Sequence, residues 1–194
     1  MLTAIILASG FSKRFNENKL LTKIDGKPLV EITLQEVCDS NFNEVVLVYR
    51  EEEVKRIGLD YDVTIAYNEK AHLGMSEAVK LGVSLASDET DGYMFFVGDQ
   101  PFLTHEVINE LIDAFYLNKS TILIPVCNGD KCNPVCFPAK YREELLSIFG
   151  DKGGRQVISR VKDGKRFYEI ENKLFCIDID TYDDYIKVKK LLEI

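Results

Sequence analysis

The chain has 194 residues, of which 46% are hydrophobic, enough for one domain with a sizeable core. Its net charge of −8 argues against a nucleic-acid or anionic-membrane partner, because phosphate surfaces repel such a chain on average. No run approaches the roughly 18 apolar residues of a membrane span, and Met1-Leu2-Thr3-Ala4 lacks the charged start of a signal peptide, so the expected compartment is the cytoplasm.

The apolar run Ala4-Ile5-Ile6-Leu7 predicts a first strand. It delivers the small-residue turn Ala8-Ser9-Gly10, then Phe11-Ser12-Lys13-Arg14-Phe15, with Lys19 and Lys23 a little further on. Small residues let backbone N–H groups approach an anion, and Lys and Arg neutralise phosphate oxygens. The spacing is neither that of a P-loop nor the G-x-G-x-x-G of dinucleotide folds. A strand followed by an ordinary polar turn remains the alternative.

Further strands are expected at Glu44–Tyr49, Val63–Ala66, Tyr93–Val97 and Thr121–Ile124, mostly continuous apolar runs of the kind covered on both faces. Amphipathic helices lie between them. Pro28 suits a first turn before Val30, Leu34 and Val37. Ser76 suits a cap before Val79, Val83 and Ala86, and Thr104 a cap before Val107, Ile108, Leu111, Ile112 and Phe115. Such alternation implies an α/β fold with a largely parallel sheet and helices on both faces.

After Pro125 the pattern changes. Asn128-Gly129-Asp130 predicts a hairpin between Ile122–Cys127 and Pro134–Phe137. A helix over about 139–149, the segment Gly150-Asp151-Lys152-Gly153-Gly154-Arg155, a shorter helix, strands near 167–170 and 175–179, and a helix from Tyr182 complete the chain. No repeat or linker interrupts it, so residues 1–194 read as a single domain, with the hairpin forming a small lobe over the open side of the sheet. In such sheets ligands bind beyond the carboxyl ends of the strands. The loops after Leu7, Val97 and Ile179 meet that condition.

Phe95-Phe96-Val97-Gly98-Asp99-Gln100-Pro101 puts one carboxylate at the end of an apolar strand. Mg²⁺ takes one or two protein carboxylates and fills its shell with water and phosphate, so Asp99 suits it; a turn-capping role is the alternative. Asp178-Ile179-Asp180 on a strand would place two carboxylates on one face, either of them a second ligand. Asp180 could instead cap the last helix, with Asp183 and Asp184 favouring its first turn. The 5 cysteines include no C-x-x-C, and with 2 histidines they do not form a zinc pattern; Cys127 and Cys136 sit in apolar segments and read as core.

Taken together these segments resemble the MobA-like nucleotidyltransferases, above all the molybdenum cofactor cytidylyltransferases that accompany molybdenum hydroxylases. That family's L-A-A-G-x-S-x-R-M-G-x-x-K is similar to Leu7 through Lys19. Its G-M-S-x-S, G-D-Q-P, H-P-V, G-D-x-G-A-R and D-I-D-T-P-E-D are similar to Gly74-Met75-Ser76, Gly98–Pro101, Asn133-Pro134-Val135, Gly150–Arg155 and Asp178–Asp184. The departures are Ser9, Phe15-Asn16, Asn133, Gly154 and Tyr182.

The resemblance implies a Rossmann-like nucleotide-diphospho-sugar transferase fold with a hairpin-containing acceptor lobe. It also implies Mg²⁺-dependent transfer of CMP from CTP to the terminal phosphate of molybdopterin, with release of pyrophosphate, in the service of a molybdenum hydroxylase. On that reading Arg14, Lys19 and Asp99 are catalytic. The nucleotide meets Leu7, Ala8, Ser9, Gly10, Ser12, Lys13, Arg14, Lys19, Asn68, Gly74, Met75, Ser76, Gly98 and Asp99. The acceptor meets Gln100, Pro101, Asn133, Pro134, Gly150, Asp151, Gly153 and Arg155, and the metal meets Asp99 and Asp180. L-A-A-G accompanies cytidine users and L-A-G-G guanosine users, so the side chain of Ser9 points to CTP. A sugar or polyol phosphate is the rival acceptor, and a non-catalytic nucleotide-binding accessory to hydroxylase maturation is the rival class.

Overall fold

The structure, a computed structural model, describes residues 1–12, 15 and 18–192. Its centre is an 8-stranded sheet in the order β10-β7-β9-β6-β1-β4-β5, with β8 paired to β7. The strands are β1 Leu2–Ala8, β4 Glu44–Tyr49, β5 Thr64–Tyr67, β6 Gly92–Val97, β7 Ile122–Cys127, β8 Asp130–Lys131, β9 Val135–Pro138 and β10 Lys165–Glu169; β2 Lys23–Ile24 and β3 Lys27–Pro28 form a separate pair. β1 runs parallel to both β4 and β6, whereas β9 lies antiparallel between β6 and β7.

The hairpin expected from Asn128-Gly129-Asp130 closes on β8. The chain then crosses a cis Asn133–Pro134 bond and β9 returns beside β6, inserted between β6 and β7. The strands β1, β4 and β6 are apolar apart from the paired Thr3 and Glu44, because both faces are covered. Leu2, Ala4, Ile6, Met94 and Phe96 meet α1 Leu29–Cys38 and α4 His105–Leu117 through Val30, Leu34, Ile108, Leu111 and Phe115. Ile5, Val46, Val48, Tyr93 and Phe95 meet α3 Met75–Leu85 through Ala78, Val79 and Val83. α2 Glu52–Gly58 lies on the α1 side, with Val54 buried in the same cluster as Val30 and Leu34.

The C-terminal part departs from the sequence reading. The expected helix over 139–149 is a 3-10 turn, Ala139–Tyr141, followed by α5 Arg142–Leu146; the shorter helix is α6 Arg155–Arg160. Residues 175–179 are not a strand. They run as irregular chain, held by the Ile179 N–H donating to the Asp99 carbonyl at 3.0 Å. α7 Tyr182–Leu191 follows, capped by Thr181 with Asp184 in a reciprocal capping box, so Asp180 is not its cap. Ile179 and Val188 pack with Ile24 and Leu29, which anchors this segment to the sheet's ligand-binding end. Cys132 and Cys176 form a disulfide with Cα atoms 5.5 Å apart, whereas Cys127 and Cys136 are free and buried in the core as expected. Among the described residues no helix is long and apolar enough to cross a membrane.

Candidate active site

Strand order reverses at β1, whose neighbours β4 and β6 follow it in different directions across the sheet. Beyond the carboxyl ends of such strands the connecting loops diverge and leave a crevice. A cavity of about 630 Å³ opens there, and Leu7, Ser9, Gly10, Ser12 and Lys19 line it from the β1 side, Gly98 and Asp99 from β6. Gly74 and Met75, Asp151 and Asp180 close the other walls. The structure therefore gathers five separated segments around one space.

Ser12, not Gly10, takes the left-handed conformation, at φ 48°, and a Cβ at Gly10 would meet open space. The Ser12 hydroxyl accepts the Lys19 N–H at 3.3 Å, and Asn18 caps the 3-10 turn Lys19–Leu21 through the Leu20 N–H. Lys13 and Arg14 lie outside the described residues. Ser9 is buried, and its hydroxyl accepts a 2.9 Å hydrogen bond from the Asn68 amide. Asn68 stands behind Ser9 rather than on the cavity wall and fixes that hydroxyl's orientation.

At the floor, the Lys19 ammonium donates to Asp99 Oδ2 at 2.5 Å and to Asp180 Oδ1 at 2.9 Å. The second oxygen of Asp99, Oδ1, is buried with no hydrogen-bond partner among the described residues. Burial pushes the Asp99 carboxyl up, against the pull of Lys19; burial also opposes the charge on Lys19, but Asp99 and Asp180 hold its pKa above the ordinary lysine range. Asp178, which is exposed and does not line the cavity, is raised from 3.8 to about 7, first by desolvation at its carboxyl and then by the charges of Asp99 and Asp180. Irregular chain, rather than strand alternation, brings Asp178 and Asp180 beside Asp99.

On the far wall, Gly74 adopts φ +111°, and a Cβ there would lie 2.5 Å from the Gly150 carbonyl carbon. This contact joins the start of α3 to the Gly150–Lys152 turn. Gly74 takes the cap position of α3, and Ser76, expected as its cap, is buried in the first turn, its hydroxyl without a partner among the described residues. Gln100 is buried and donates to the Asn133 carbonyl at 3.3 Å, tying the β6 loop to the hairpin lobe. Ala8, Pro101, Asn133, Pro134, Gly150, Gly153 and Arg155 do not line the cavity itself.

Phe11, Leu20, Ala71, His72, Ala78 and Val97 line it without having been singled out. Phe11 carries the Arg50 guanidinium 4.1 Å above its ring, a cation–π contact from the end of β4. Its position inside the small-residue loop, and that of His72 just before Gly74, were the available signals.

Comparison with known proteins gives a consistent result. The model of the MobA-like NTP transferase domain matches residues 4–165. A probable molybdenum cofactor guanylyltransferase of Natranaerobius thermophilus is 31% identical over 130 residues, covering 66% of this chain and 61% of that one. The bifunctional protein GlmU of Thermoanaerobacter pseudethanolicus is 31% identical over 98% of this chain, which spans 40% of that protein. Among solved structures, Rv0371c of Mycobacterium tuberculosis superposes with a TM-score of 0.85 at 20% identity over 97% of both chains, and has also been solved with manganese.

Proposed function

Because this chain belongs to the family of MobA-like NTP transferase domains, we propose that residues 1–194 form one nucleotidyltransferase domain that moves CMP from CTP to the terminal phosphate of molybdopterin. The observation that carries the reading is the floor of the cleft, where Lys19 joins Asp99 and Asp180 directly beneath the Ser9–Ser12 loop.

The acceptor phosphate is already a dianion near neutral pH and needs no strong general base. One of its oxygens attacks the α-phosphorus of CTP, the bond to the bridging oxygen breaks, and pyrophosphate leaves. The obstacle is the approach of two anions, so positioning and charge neutralisation carry the step. The Ser9–Ser12 loop, Lys13, Arg14 and Lys19 would hold the β- and γ-phosphates. Gln100, Asn133, Pro134, Gly150, Asp151, Gly153 and Arg155 would hold the acceptor, with Arg155 suited to a bidentate grip on phosphate.

Asp99 and Asp180 are suited to hold a divalent cation, since Oδ1 of Asp99 lacks a donor among the described residues and both carboxylates already converge on one positive charge. Mg²⁺ there would neutralise charge on the phosphates as the displacement proceeds. Manganese in the Rv0371c structure supports a divalent ion in this fold.

CTP is favoured because Ser9 adds a side chain where a purine would need room, and Asn68 occupies its hydroxyl as an acceptor, which leaves the hydroxyl proton to donate to a base or ribose. The guanylyltransferase name of the Natranaerobius relative supports GTP as the second reading. Pyrophosphate release with molybdopterin and each nucleotide decides between them: a higher kcat/KM for CTP is expected, and a higher value for GTP sinks the cytidylyl assignment. Release with neither nucleotide removes the transferase reading in favour of an accessory role.

A further inference from the structure

Lys19 links two parts of the site that sequence placed far apart. Its backbone N–H is tied to the phosphate-facing loop through Ser12, and its ammonium lies between Asp99 and Asp180. Lys19 and Asp99 are both largely buried, with side chains 15% and 14% exposed, so the pair is little screened. The ammonium engages Asp99 Oδ2 and leaves the buried Oδ1 without a partner among the described residues, so the carboxylate keeps unused capacity for positive charge. An ammonium on Oδ2 and a divalent ion on the same carboxylate would repel each other. The two occupants exclude one another.

We propose that in the free protein the Lys19 ammonium stands in the divalent cation's place, and that a nucleoside triphosphate draws it away, so that nucleotide and cation enter together. The inference rests on Asp99 and Asp180 being the cation's carboxylates. A cation arriving alone must evict Lys19 from a largely buried ion pair into a cleft where, among the described residues, Asp151 is the other carboxylate on the wall. Evicting one partner from such a pair is strongly unfavourable. A triphosphate on the Ser9–Ser12 loop removes that penalty, because it gives the ammonium new oxygens while the cation takes over Asp99 and Asp180. Free cation is therefore bound weakly and the cation–nucleotide complex strongly. Lys19 is a positioning residue before it is a phosphate ligand.

The test is a titration of Mn²⁺ without nucleotide, with free ion read by electron paramagnetic resonance, at about 0.05 M and about 0.5 M salt. Lys19→Met and Lys19→Gln should bind Mn²⁺ at least about tenfold more tightly than the parent at both salt concentrations, since the competing charge is gone. Lys23→Met, which removes an exposed cation nearby in the sequence, should match the parent. Unchanged or weaker Mn²⁺ binding in folded Lys19→Met or Lys19→Gln overturns the exchange. A gain that vanishes at high salt, or that Lys23→Met reproduces, overturns it equally, because a long-range field would then explain the result. Adding Asp99→Asn to Lys19→Gln separates the two levels: the gain should disappear. A gain that survives removes the carboxylate site itself, and the exchange with it.

Discussion

Asp99 presents two surroundings on one carboxylate. Oδ2 accepts from Lys19 and Oδ1 is buried without a donor among the described residues, an arrangement that a purely structural side chain would not need. Asp99→Asn should therefore fold, with an unchanged circular dichroism spectrum, and lose at least about a hundredfold in turnover, the scale of one lost transition-state electrostatic contact. Near-normal turnover at saturating Mg²⁺ would end its proposed role. Asp178 shows the opposite balance. Its folded pKa of about 7 lies above the ordinary 3.8, so the folded state holds this proton more tightly than the unfolded chain. Its effect on stability is then favourable at low pH and is lost as pH rises between those two values. In urea titrations with chelator present, Asp178→Asn should match the parent near the lower value and exceed it above the higher one. Equal stability at both ends would show that the carboxyl titrates normally.

At the scale of elements, the site depends on the seam between α3 and the Gly150–Lys152 turn. Gly74 makes that seam possible, because a side chain there meets the Gly150 backbone and its φ of +111° is unfavourable for any L-residue. Gly74→Ala should destabilise the protein by about 1–3 kcal/mol, through strain and displacement of the turn. If the turn carries acceptor contacts, KM for the acceptor should rise more than KM for the nucleotide in the same variant. Equal changes in both would place the turn's influence on the whole cleft. The 175–179 segment teaches a related point. Its Asp-Ile-Asp alternation reads as a strand, yet no free edge of the sheet receives it, and its ordering comes from the Asp99 carbonyl and from burial of Ile179.

Across the whole molecule, the Cys132–Cys176 bond ties the hairpin lobe to the chain leading into Asp178 and Asp180 across a sequence separation of 44. Closing a loop of that length restricts the unfolded chain, so reduction should lower stability by about 2–4 kcal/mol and the melting temperature by on the order of 10 °C. Thiol counting in denaturant should give Cys38, Cys127 and Cys136 before reduction and all 5 cysteines after it. Five reactive thiols before reduction would contradict the bond. Sequence spacing offered no route to this pairing, because the partners come from different elements and neither belongs to a C-x-x-C.

The sequence by itself determined the α/β class, the identities of β1, β4, β6 and their covering helices, and the family, because apolar runs and amphipathic periods are local consequences of burial. It also placed Ser9, Lys19, Gly74, Asp99 and Asp151 among the cleft's residues through motifs at strand ends. Tertiary structure alone decided that β9 inserts between β6 and β7, that Ser12 rather than Gly10 takes the left-handed turn, and that Asn68 serves Ser9 from behind. It alone put the Lys19 ammonium on Asp99 and Asp180, residues separated from it by 80 and 161 positions. Such contacts join groups whose burial and charge are balanced only when the whole sheet and its loops are in place, and no local pattern in the chain encodes that balance.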